Sequence, residues 1–238
     1  MLEKVDFFPN AFYDFIVFIG STVVFFGGLF VGFGGLNRMG NLELQLQGID
    51  VLLIFGMLIL IGYEYGRIAE AWSAVIVQKP LQFISSHTPF LKSKDFLSKP
   101  PIPKELGIVF PSMPEAKRTD KWTIYFYASM VHPGLGSDLL KRYAWEKLSR
   151  NSAFSYCILF IISISSMIFQ RVLKLSDFGS WSFGTTELSV LIGIMTLLTF
   201  YEYYKRNCWN NDLLIKAMPI LITLQRHRLK IEKLKKQS

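Results

Sequence analysis

Two short runs in this 238-residue chain place ionisable groups beside aromatics at the ends of otherwise apolar stretches. Glu64, Arg67 and Glu70 lie between Tyr63 and Trp72; Glu202, Lys205 and Arg206 lie between Tyr201 and Trp209. Both runs read Tyr-Glu-Tyr, one further residue, then a base. Helical residues three and four apart are neighbours, so Glu64, Arg67 and Glu70 can pair along one face, and Glu202 can reach Lys205 and Arg206. Ionisable groups within a membrane span are costly and mark functional positions by default. Near a span's last turn they also serve as interfacial salt bridges under an aromatic belt. The sharper roles are a cytoplasmic vestibule, a pore mouth or a docking surface. The repeated run suggests two related helical hairpins.

Other chemistry is missing from the sequence. There is no HExxH, GxSxG or GxxxxGK[ST] motif. His87, His132 and His227 stand far apart, and His132-Pro133-Gly134 reads as a chain break. Cys157 and Cys208 have no metal-type spacing and are expected as reduced packing residues. The expectation is a protein that is not an enzyme, with no catalytic, metal or cofactor residue.

The elements that must position these groups are apolar blocks. Hydrophobic residues make up 51% of the chain, gathered into four runs that are apolar nearly all round, as suits helices facing lipid. The runs are Phe15 to Leu36, Ile49 to Ala69, Ala153 to Phe169 and Leu188 to Tyr204. A bilayer core takes roughly 20 residues of helix, with ~17 as a lower limit. The first two runs meet this easily; the last two are near the limit. Glu3, Asp6 and Asp14 precede or open the first run against a single Lys4, which argues for a retained helix rather than a cleaved signal. The fold expected is an all-α integral membrane protein with four transmembrane helices in two hairpins, a cytoplasmic loop and a C-terminal amphipathic helix. The divisions are residues 1–77, the first hairpin; 78–150, the loop; 151–206, the second hairpin; and 207–238, a basic tail.

Lysine and arginine set the orientation. Twelve lie between Gln78 and Arg150, nine from Lys205 onward, and Lys4 joins them; the opposite loops hold only Arg38, Arg171 and Lys174. Both termini and the long loop are therefore expected in the cytoplasm of an inner-membrane protein. Phe178, Trp181 and Phe183 in the second outer loop are expected at the membrane–water interface. In the long loop, seven prolines from Pro80 to Pro114 read as an extended arm. Trp122 to Val131 reads as a short strand or an interfacial segment. A helix is expected from Leu139 to Arg150, capped by Ser137 or Asp138.

Gly20, Gly28, Gly32 and Gly35 share one helical face of the first run, a candidate oligomer interface or close packing within one subunit. Ser163 and Ser166 can hydrogen-bond across helices. In the tail, a helix interrupted or kinked at Pro219 carries Ile220, Leu224, Ile231 and Leu234 at helical spacing. Arg226, Arg228, Lys230, Lys233, Lys235 and Lys236 surround them as candidates for docking on lipid or a partner.

The run Gly62-Tyr63-x-x-Gly66-Arg67, then Ser73 and Pro80, with Arg150-Asn151 leading into the third span, resembles a poorly characterised group of bacterial four-helix membrane proteins. The architecture is also similar to the membrane subunit of Kiwa-type anti-phage systems. The first group implies no settled activity; the second likeness, one of architecture only, suggests antiviral defence as the setting. With the residue reading, it leads to an oligomeric membrane sensor or anchor that recruits a cytosolic effector. The expected partners are membrane lipids, further copies of the chain and a cytosolic protein, and direct nucleic-acid binding is disfavoured. The alternative is a pore-forming or membrane-disrupting effector gated from the cytoplasmic side; a small transporter is a third, less favoured reading.

Overall fold

The computed structural model describes residues 8–33, 48–87, 124–125, 128–129, 131–173, 183 and 185–235. Apart from Phe33, His132, Phe183 and Thr185 these residues are helical, and no strand occurs among them. The elements are α1 (Phe8–Gly32), α2 (Gly48–Ser73), a π-helical turn (Ala74–Gln78), α3 (Lys79–His87), α4 (Pro133–Leu173) and α5 (Thr186–Lys235). Among the described residues, α1 over Phe15–Gly32 and α4 over Pro133–Arg171 are long and apolar enough to cross a membrane.

Several expected boundaries dissolve into longer helices. Pro80 does not open an extended arm, because residues 79–87 are helical. A proline deprives the preceding turn of one N–H and crowds the carbonyl four residues back. The π turn meets that demand: the Lys79 N–H reaches the carbonyl of Ala74, five residues back, immediately before the proline. The remaining prolines of the arm, Pro89 to Pro114, lie outside the described residues.

His132-Pro133-Gly134 breaks the chain as expected, His132 being non-helical between Val131 and Pro133, and the same residues start the next helix. Pro133 is the first residue of α4, where its missing N–H costs nothing. The Leu135 N–H donates to His132 Nδ1 at 3.1 Å, so the imidazole caps the helix in place of Ser137 or Asp138. The expected helix and third span are one 41-residue helix. Of Trp122 to Val131, the described residues 124–125, 128–129 and 131 are helical, not strand. Pro219 lies inside the 50-residue α5 without ending it.

The chain divides into two compact units: unit 1 is Met1–Asn10, Gln82–Ala144 and Tyr204–Ser238, and unit 2 is Ala11–Leu81 and Trp145–Tyr203. Unit 1 has an apolar core. Ile124, Tyr125, Leu139 and Leu140 pack against Leu214, Met218 and Leu221 of α5. Gly136 lies so close to Ser129 that a side chain there would meet main chain. Arg142 lies 4.2 Å over the Trp209 ring, and Asn210 donates to the Arg142 carbonyl at 3.2 Å.

Unit 2 buries small polar residues beside an apolar cluster of Leu159, Phe183 and Ile192. Ser21, Ser73, Asn151, Ser155 and Ser163 are fully buried. Val23, Leu60, Ile161 and Leu197 are exposed by 65%, 68%, 63% and 72%. Its apolar side chains face outward in quantity while its small polar ones face inward.

Candidate functional site

The inward polar residues of unit 2 form a ladder between residues 65–78 and 147–155. Its first rung is Tyr65, whose hydroxyl meets Ser155 Oγ at 2.8 Å. Ser155 is also 3.0 Å from the Asn151 carbonyl and 3.3 Å from the Ser21 carbonyl, which ties α1, α2 and α4 together. The Tyr65 ring stacks on Phe25, with centroids 4.5 Å apart and planes 9° apart. One turn further, Ser73 donates to Asn151 Oδ1 at 2.9 Å. Lys147 Nζ pairs with Glu70 at 2.7 Å, the side chains 13% and 30% exposed. Arg150 donates to Gln78, at the end of the π turn, at 3.0 Å.

Helical periodicity explains why these residues meet. Lys147, Asn151 and Ser155 follow one another at four-residue steps and so share a face of α4. Glu70 and Ser73 are three apart on α2, and Gln78 follows within the π turn. In a low-dielectric interior each of these contacts is stronger than in water, and an unpaired member is costly.

Glycine allows the helices to come this close. A methyl at Gly66 would stand 2.6 Å from Cα of Phe18, a distance that no side-chain rotation relieves. Thr22 then reaches the Gly62 carbonyl at 2.6 Å. At the other end of the unit, Ser163 and Ser189 bond at 2.8 Å between α4 and α5, as the sequence led one to expect for Ser163. Ser166 is half-buried.

The candidate residues separate into different environments. Glu64 and Arg67 form an exposed pair 3.5 Å apart. Glu70 does not extend that pair along its own helix; it turns to Lys147 on α4, a cation from a different element. Glu202 and Arg206 are half-buried and Lys205 is exposed. The two Tyr-Glu-Tyr runs share one property: Tyr63 and Tyr201 are exposed, whereas Tyr65 and Tyr203 turn inward.

The glycines of α1 receive side chains of the same chain. Gly20 faces Leu148, Gly28 faces Leu159 and Gly32 faces Phe183. Gly35 lies outside the described residues. Phe183 is not at the surface as expected of an interfacial aromatic. It is fully buried with Leu159 and Ile192, edge-on to Phe33 at 5.2 Å, and its N–H donates to the Gly32 carbonyl at 2.8 Å. Gln170 holds its carbonyl at 3.0 Å. The void that Gly32 leaves is what admits this ring. Phe178 and Trp181 lie outside the described residues.

On the tail, Arg226 and Lys230 are exposed. Arg228, Lys233 and Lys235 fall within the helical backbone of α5, and Lys236 lies outside the described residues.

As chemistry, the ladder joins helices through donor–acceptor pairs, while Asn151 Nδ2 and Arg150 Nε are buried without a hydrogen-bond partner among the described residues. No group of three or more His, Cys, Asp or Glu that could hold a metal occurs among the described residues. Sequence reasoning singled out Glu70 but missed Lys147 and Gln78 as ladder members. The signal available was the four-residue spacing of Lys147, Asn151 and Ser155. No protein family matches this chain, and no curated protein or solved structure matches it either.

Proposed function

We propose that the chain is a four-span membrane protein, with both termini and the 78–150 loop in the cytoplasm, that serves as a sensor or anchor holding a cytosolic effector at the inner membrane. The observation that carries this reading is the burial pattern of unit 2. A water-soluble protein does not bury serines and an asparagine while opening many large aliphatic side chains to water. In lipid that distribution is favourable, because small polar residues join helices and apolar ones meet acyl chains. Trp72 and Trp145, both exposed, flank the Glu70–Lys147 pair and suit the cytoplasmic headgroup level. The anchor part of the reading draws on the basic tail and loop and on the minimal outer loops. The faces of Gly20, Gly28 and Gly32 are filled within the chain, so assembly of copies would use other surfaces.

The pore alternative gains no support from the interior of unit 2, where Ser21, Thr22, Ser155 and Ser163 bond to protein atoms.

Sidedness tests the reading. With Cys157 and Cys208 replaced by serine, Asn41→Cys should react with an impermeant maleimide on intact bacterial spheroplasts. Ser238→Cys should react only after lysis. Labelling of both from outside, or of neither, would overturn the topology. Purification in mild detergent should then bring down a stoichiometric soluble partner; the chain alone, in functional preparations, would remove the anchor role.

A further inference from the structure

The far end of α5 carries an apolar stripe that the described residues leave uncovered. Ile220, Leu224, Ile231 and Leu234 are all exposed. At about 100° per residue they fall within an arc of roughly 80°. A different side of the same helix buries Leu214, Met218 and Leu221 in the core of unit 1. Arg226 and Lys230, both exposed, border one edge of the stripe. Arg228 and Lys235 belong to the same helix. From residue 220 onward there are six lysines and arginines against one acid, Glu232.

Three kinds of surface accept an apolar stripe edged by cations: an anionic bilayer, a second copy of the helix, or an acidic protein. The length of α5 decides against the first. Taking the four-span reading, the last span ends near Tyr204, and the helix runs on unbroken to Lys235. At ~1.5 Å per residue, Ile231 lies about 40 Å further along the helix than Tyr204. A continuous helix cannot turn back to lay that segment on the surface it has left. Charge decides against the second, because two such helices side by side would bring their cationic borders together.

We propose that the Ile220–Leu224–Ile231–Leu234 stripe docks an acidic amphipathic surface of a cytosolic protein, its apolar seam against the stripe and its carboxylates against the arginine and lysine border. This rests on the membrane-anchor reading and names the chemistry of the partner.

The test uses the full chain, with Cys157 and Cys208 replaced by serine, in nanodiscs containing anionic lipid. A fluorophore on Ile231→Cys reports contact with brominated lipid. In a separate preparation, a fluorophore on Ser238→Cys reports binding of a synthetic helix with a leucine and isoleucine stripe edged by glutamate. The expected result is no lipid quenching and saturable binding that falls with salt. Replacing the peptide glutamates by glutamine, or introducing Leu224→Ser, should weaken binding by roughly tenfold. Quenching by lipid would assign the stripe to the bilayer. Energy transfer between labels on two chains would assign it to a second copy. An absence of peptide binding would end the proposal. The sidedness assay separates the two readings: a chain that spans but ignores the peptide loses only the docking, and a chain that docks but does not span loses the anchor.

Discussion

In unit 2, Asn151 and Ser155 are closed off while Leu60 and Leu197 lie open; in unit 1, Ile124 and Leu214 are closed off while Lys216 and Arg226 lie open. Two of the helices, α4 and α5, contribute to both units; the difference is one of proportion, since unit 1 also buries Asn207, Asn210 and Asn211 and exposes Ile220 and Leu234. On the proposed membrane reading the contrast follows from the solvent: in water, removing aliphatic surface drives packing, and in lipid that drive vanishes and polar contacts with close backbone approach take over.

The most decisive way to break this comparison is chemical access. In a background lacking Cys157 and Cys208, Leu197→Cys and Lys216→Cys replace side chains of similar exposure, 72% and 71%. With the protein in proteoliposomes opened to reagent on both faces, a water-soluble maleimide should label position 216 and leave 197 untouched. Equal labelling would mean that one solvent surrounds both units. Next in size, Leu214→Ala should lower stability by roughly 2–5 kcal/mol, since the residue is fully buried in an apolar core. Leu197→Ala should change the thermal midpoint in detergent little.

Smaller effects sharpen the picture within each unit. Glu70→Ala removes the Glu70–Lys147 ion pair and should cost about 1 kcal/mol. The exchange of Glu70→Lys with Lys147→Glu should recover part of it in a double-mutant cycle. His132→Ala removes the cap of α4 and should cost about 1 kcal/mol. Ser163→Ala deletes one interhelical bond, for which ~0.6 kcal/mol is typical in membranes. A loss several times larger at Ser163 would mean that the hydroxyl does more than join α4 to α5.

Much of the helical architecture was legible, because long apolar runs bounded by charge leave few alternatives. The places where reading fell short share a cause. Proline, histidine and glycine were taken only as interruptions, yet Pro133 is a first helical residue, His132 its cap, and Pro80 follows a widened turn. Those roles depend on what precedes each residue by one turn, which composition does not reveal. The ladder was half visible. Lys147, Asn151 and Ser155 announce a polar stripe, but which residue answers each is set by the crossing of two helices. Glu70 illustrates this: its local partner by spacing is Arg67, and its actual one is 77 positions away in sequence, Lys147.

The π turn at Ala74–Gln78 also acts as a phase correction. Along this stretch the buried residues are Gly62, Gly66, Ala69, Ser73, Val77 and Leu81. In an uninterrupted α-helix, the later four-residue steps would each drift by about 40°, carrying Leu81 roughly 100° away from Gly62. One inserted residue cancels that rotation and returns Leu81 to the azimuth of Gly62. The helix can therefore keep a single buried meridian past the length at which its natural pitch would lose it. Deleting one residue of the turn would leave the side chains beyond it intact and aim them at the wrong neighbours.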